Sequence, residues 1–157
     1  MNNVGMNKEM KLSPHFTLGE LTKTKYQTAD GNIPSHVHIE NLARLCDWLE
    51  LLREEWNSVY GEGDDPIIIT SGYRSPEVNR LAGGAPTSNH LTGCAVDIRV
   101  AGFEQAIRYA AILLDISDGT KRDYDELFIE RNSAGRYWIH FAVRPQGNRR
   151  KMDFIKA

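Results

Sequence analysis

Asp97 stands inside an otherwise apolar run, Cys94-Ala95-Val96-Asp97-Ile98. A carboxylate there is costly to bury unless a cation or several donors meet it. Six residues separate it from His90, which lies in the small-residue segment Ser88-Asn89-His90-Leu91-Thr92-Gly93. Gly93 permits a tight bend, so the segment can fold the imidazole back beside the carboxylate. Another histidine, His140, sits in the aromatic run Tyr137-Trp138-Ile139-His140-Phe141. Two imidazoles and one carboxylate are a standard protein ligand set for catalytic zinc, with a fourth position left for water. Taken alone, each histidine is more often a satisfied core residue. Asp97 also has a plainer partner in Arg74 or Arg99, and spacing leaves the metal site and the ion pair both open. Of the remaining histidines, His36 and His38 flank a helix start and are expected to be solvated, and His15 is expected to be structural.

The elements that must position these residues follow from periodicity. Ser35 is an N-cap type residue, and Ile39, Leu42, Leu45, Cys46, Leu49, Leu52 and Trp56 then make one apolar helix face that ends before Gly61. Ile67 to Thr70 reads as a buried strand after Pro66. Ser75-Pro76-Glu77 opens a short helix, with a cap, a proline at the first position and an acid in the first turn. Gly83-Gly84 should stop it. Cys94 to Val100 reads as a strand, Phe103 to Leu114 as a helix, and Leu127 to Glu130 and Tyr137 to Val143 as two further strands. Asn132-Ser133-Ala134-Gly135 suits the hairpin loop between the last two. The stretch from Pro145 reads as a basic tail, with Arg149, Arg150 and Lys151 in it and Arg144 just before it. Helices come first and strands cluster later, which predicts an α+β fold with a mainly antiparallel sheet packed with helices. Residues 1–12 are expected to be a loose tail and 13–157 a single domain.

Strand alternation sorts the candidates. If Asp97 faces a metal, Ala95 and Arg99 share its face, and Cys94 is a poor ligand. Trp138 shares the face of His140, as a cleft wall or as core. Glu126, Phe128 and Glu130 lie on one face. Asp125 falls on the other, so it joins a site only from before the strand or across a bulge.

Composition bounds the class. The chain has 157 residues, enough for one domain with a real core. Its formal charge of −2 and isoelectric point near 6.2 argue against a general nucleic-acid binder. No apolar run is long enough for a membrane span. The polar N-terminus shows no signal-peptide core, so synthesis in the cytoplasm is expected. Two cysteines, Cys46 and Cys94, are too few for a disulfide framework.

Longer motifs carry a family likeness. Ile69-Thr70-Ser71-Gly72-Tyr73-Arg74-Ser75, then Asn79, Gly83-Gly84 and the run Ser88 to Asp97 give the ordered pattern S-G-Y-R-S, N, G-G, S-x-H-x-x-G-x-A-x-D. This resembles the zinc D-Ala-D-Ala carboxypeptidase family of peptidoglycan peptidases, the M15 peptidases. The upstream stretch His15-Phe16-Thr17-Leu18-Gly19-Glu20-Leu21 and the segment through Arg53 are similar to the subgroup of that family common in phage lysis proteins and bacterial relatives. The likeness spans roughly residues 14–143. It implies a hedgehog-like zinc fold, one zinc ion held by His90, Asp97 and His140, and a role for Arg74 in gripping a substrate carboxylate. Ser88 is expected to hydrogen-bond substrate or orient a ligand, or simply to build its loop. Many relatives carry a histidine two residues before the last ligand, or a glutamate three before it; this chain has Trp138 and Tyr137. The stretch Tyr124 to Glu130 resembles the acid-bearing strand that precedes the final zinc strand. Glu130 is therefore the first candidate for general base and Asp125 the second.

The resemblance implies a zinc metallopeptidase acting in the cell wall on D-amino-acid stem peptides, as a carboxypeptidase or an endolysin-type endopeptidase; charge and hydropathy add the expectation of no nucleic-acid or membrane partner, and the chain is expected to be a monomer. Two alternatives stand beside it: a zinc-containing wall-binding module that has lost its base, and a phage structural part that keeps the fold as a scaffold.

Overall fold

The computed structural model describes residues 6–157. A small hairpin, β1 (Lys11–Ser13) and β2 (Phe16–Thr17), leads into a single-turn helix α1 (Leu18–Leu21). The long helix α2 (His36–Val59) follows, then β3 (Ile69–Ser71), α3 (Pro76–Leu81), a 3-10 turn (Asn89–Thr92), β4 (Ala95–Arg99) and α4 (Phe103–Thr120). The chain ends in β5 (Glu126–Arg131), β6 (Tyr137–Ala142) and β7 (Lys151–Lys156). The five-stranded sheet has the order β3-β4-β6-β5-β7. All its pairings are antiparallel except β5 with β7, which is parallel. The α+β architecture with a mainly antiparallel sheet is thus present.

Local chemistry explains the helix starts. The Ser35 side chain accepts from the His38 amide, and His38 Nδ1 accepts from the Ser35 amide, so His38 completes a capping box. It also stacks on Tyr73, with ring centroids 4.8 Å apart, so it is half-buried rather than solvated. Ser75 caps α3 by accepting from Val78 N, with Pro76 in the first turn as its missing donor allows. His15 is structural: its ring lies 2.6 Å from Glu50, whose other oxygen accepts from Ser13 Oγ and the His15 amide.

One face of the sheet closes the core. Val96, Ile98, Leu127, Ile129, Ile139 and Phe141 pack against α2 and α4. Trp48 of α2 lies on Phe141, centroids 5.3 Å apart. The other face carries the polar residues.

Two sequence expectations need amendment. The loose tail expected over 1–12 falls partly outside the described residues. From Met6 onward the chain is held: Gly19 N donates to Lys8 O at 2.9 Å, Leu18 N donates to Met10 O at 2.8 Å, and β1 begins at Lys11. The basic segment after Arg144 is no mere tail either. Its last part is the parallel edge strand β7, fastened by Arg150 N to Tyr124 O and Lys151 N to Asp125 O.

Candidate active site

Sheet register builds the centre. Asp97 on β4 pairs directly with His140 on β6, and His140 pairs with Phe128 on β5. Paired residues point to the same face, so Asp97 and His140 are side by side. His90 comes from the 3-10 turn that leads into β4. Ligand-type atoms of His90, Asp97 and His140 all lie within 4.8 Å of one another. His90 Nε2 is 3.3 Å and His140 Nδ1 is 3.2 Å from the same oxygen, Asp97 Oδ1. All three side chains are buried.

The loops are shaped to deliver His90. Gly93 closes the 3-10 turn at φ +74°, and a Cβ there would stand 2.6 Å from His38 O. Gly72 has no room for a side chain: a Cβ would meet Leu21 O at 2.1 Å. That close approach lets Tyr73 N donate to Leu21 O and brings Gly72 O to 2.7 Å from His90 Nδ1. With Nδ1 donating to this carbonyl, Nε2 keeps its lone pair for the centre, the arrangement a ligating histidine requires. Asn32 braces the same loops, donating to Thr22 O and Tyr73 O and accepting from Ser75 N.

Charge is finely divided here. Burial pushes His90 toward its neutral form. Burial opposes charge on His140 too, but hydrogen bonds to Asp97 and Glu126 override it and push its pKa up to about 9. Burial would raise Asp97, yet His90 and His140 hold it far below the usual carboxylate range. Three donors converging on one point, one imidazole neutral and oriented, fit a zinc ion.

Other expected residues fall around this centre. A cleft of about 460 Å³ contains His90, Asp97 and His140 together with Arg74, Ser88, Glu126 and Glu130. Glu130 lies opposite Trp138 on β6, one step along the sheet from His140. Burial, and then the negative charge of Asp97, raise its pKa. Ser88 Oγ accepts from His90 N at 3.1 Å, so it shapes the turn that carries His90. Arg74 donates from Nε to Ser71 Oγ at 2.9 Å and from a terminal nitrogen to Asp97 Oδ2 at 3.1 Å. The ion pair weighed as its plainer role is therefore present, while the guanidinium still lines the cleft.

Asp125 is placed differently. It is fully buried just before β5, and it is absent from the cleft lining. Its carboxylate accepts from Arg149 N, Arg149 Nε and Asn89 Nδ2, and Arg144 adds an ion pair at 3.2 Å. Those bonds outweigh burial and lower its pKa.

Two residues were not singled out from sequence as parts of the site. Glu126 lies 3.1 Å from His140 Nε2, on the far side of the ring from Asp97. Asn89 donates to both Asp125 and Glu126 and accepts from Arg144 Nε. The shared face of Glu126, Phe128 and Glu130 was a usable signal for the first. Nothing in sequence spacing marks Asn89 as a hub.

The fold and this centre have the layout of a metallopeptidase-type cleft: three residues whose donor atoms could hold a metal ion, with an acid and an arginine beside them. The family model for Peptidase M15 matches residues 14–123, well over half of the chain. The chain belongs to the M15 peptidase family. It is also similar to the zinc D-Ala-D-Ala carboxypeptidase of Streptomyces albus G, 28% identical over 130 residues that cover 79% of this chain and 48% of that protein. The chain thus spans about half the length of that relative. Among the described residues no helix is long and apolar enough to cross a membrane.

Proposed function

We propose that this chain is a zinc-dependent peptidase that cleaves the D-amino-acid-containing stem peptides of peptidoglycan. The observation that carries the reading is the convergence of His90, Asp97 and His140 in a cleft flanked by Glu130 and Arg74. His90 Nε2, an Asp97 oxygen and His140 Nδ1 would hold one zinc ion. When bound, zinc supplies a Lewis acid that polarises a carbonyl and makes water acidic enough to ionise near neutral pH.

The chain's own groups do the rest. Glu130 takes the proton of the attacking water and returns it to the leaving amine. Its raised pKa suits both halves of that task, since a base too weak for its proton would not accept it. Arg74 offers a fixed cation beside Asp97, to grip a substrate carboxylate or the oxygen on which charge develops. Glu126 holds the outer nitrogen of His140 and so fixes the ring for its inner nitrogen to ligate. Asp125 anchors Asn89, Arg149 and Arg144 beneath the cleft and is a positioning residue rather than the base.

Digestion of purified sacculi by the zinc-loaded protein, followed by mass spectrometry, tests the reading. Loss of a terminal D-alanine identifies a carboxypeptidase, and internal stem cleavage an endopeptidase. Full zinc occupancy with intact sacculi would favour a wall-binding module instead.

A further inference from the structure

Arg74 is a wall shared by two cavities. Beyond it lies a second one, of about 430 Å³, on the side of the edge strand β3. Four cations line it, Lys23, Lys25, Arg74 and Arg99, together with the hydroxyl residues Thr70 and Ser71. No acidic residue lines it. Among the described residues Lys23, Lys25 and Arg99 form no ion pair. By contrast Arg144, Arg149 and Arg150 each meet a carboxylate. In a chain with more acids than bases, three unpaired cations gathered around one concavity repel one another. An anion in the cavity removes that repulsion.

The fold puts them there for separable reasons. Arg99 ends β4 on the same face as Asp97, two residues on. Lys23 and Lys25 follow α1, which is tied to the Gly72-Tyr73 loop through Leu21 O. Val78 and Ala82 supply an apolar side to the cavity. A volume of this size is at the lower end of the range for small-molecule sites, roughly 300–1,000 Å³, and guanidinium groups match a carboxylate through paired donors.

We propose that this basic cavity is a substrate subsite that takes a carboxylate of the peptide, so that the enzyme selects peptides carrying a negative charge on the β3 side of the cleft. The proposal rests on the peptidase reading of the adjoining centre. The carboxylate can be a free C-terminus or an acidic side chain, and both have the chemistry the cavity recognises.

The test separates these sources and does not depend on turnover. Metal-free protein is titrated by NMR with N-acetyl-D-alanine, with the α-amide of N-acetylglutamate, and with neutral N-acetyl-D-alaninamide. At least one carboxylate probe should shift the backbone amides of Thr70, Ser71 and Arg99, while the neutral amide leaves them in place. Which probe acts identifies the source. A Lys23→Gln, Lys25→Gln, Arg99→Gln triple variant should bind the active probe at least about tenfold more weakly. On a stem peptide the same variant should raise KM by a larger factor than it lowers kcat. Absence of shifts with both carboxylates, or equal shifts with the neutral amide, overturns the subsite. Sacculus digestion by the unmodified protein decides the peptidase reading separately.

Discussion

The two faces of β4, β5 and β6 are made by alternate residues of the same strands, yet they are held by different physics. Val96, Ile98, Leu127, Ile129, Ile139 and Phe141 form one face and belong to the buried apolar core, with residues of α2 and α4. Their contribution is non-directional and scales with area removed from water. Asp97, His140, Glu126 and Glu130 form the other. There Asp97 alone meets His90, His140 and Arg74, and Glu126 meets His140, Asn89 and Arg149. A methyl group lost from the first face softens the core. A charge lost from the second leaves its partners buried and unmatched.

Adjacent residues make the sharpest comparison. Asp97→Ala should abolish zinc binding and with it all hydrolysis. Ile98→Val, one residue along and facing the other way, should keep one zinc per chain and cost about 0.5–1.5 kcal/mol of stability. Elemental analysis and thermal melts read the two outcomes. If Ile98→Val stayed folded but lost its zinc, the two faces would not be separable.

The acids come next in size. Glu130→Gln should retain zinc and melting temperature but lose at least ~10²-fold in hydrolysis, the scale of general-base catalysis. Asp125→Asn should do the reverse in emphasis. It weakens bonds to Arg149, Arg144 and Asn89 in a fully buried site, so the melting temperature falls more and activity less. An inactive but fully stable Asp125→Asn protein beside an active Glu130→Gln protein would mean that the base has been assigned to the wrong acid.

Arg74 bridges the comparison, because its guanidinium holds Ser71 and Asp97 while lining the cleft. Arg74→Lys should lower kcat/KM roughly ten- to a hundredfold, since an ammonium cannot reach both partners in one plane. Near-normal kinetics in that variant, with a lowered melting temperature, would reduce Arg74 to a structural ion pair.

Much of this was legible in the sequence because alternation and capping are local. The periodicity of Leu42 to Trp56 placed α2, and the parity of β5 separated Glu130 from Asp125. What escaped was long-range. His38 reads as a solvated helix-start residue until Tyr73 is seen to stack on it. Asn89 reads as loop until it is found to join the adjacent acids Asp125 and Glu126 to Arg144, from two separate segments. β7 has little apolar patterning, as a strand exposed along most of its length need not, and it is led to β5 by the turn through Arg149, whose amide donates to Asp125.

The smallest effect concerns protons, and it too divides the faces, since only one of them titrates. In the metal-free protein the pKa of His140 is about 9 against an ordinary value of 6.5. A folded-state pKa above the unfolded one stabilises the fold fully below about 6.5, and that contribution is lost as pH rises through about 9. The melting temperature of metal-free protein should therefore fall by roughly 5 °C or more across that window. Glu126→Gln removes one of the two carboxylates that sustain the charge, so its decline should be shallower. Zinc requires His140 unprotonated, so loaded protein should lack the decline altogether. Loading at pH 7 should release about one proton from His140 and none from His90, which burial already keeps neutral. Calorimetry in buffers of different ionisation enthalpy counts that proton. A count near zero, with a pH-independent melting temperature in the metal-free protein, would show that Asp97 and Glu126 do not hold His140 in its charged form.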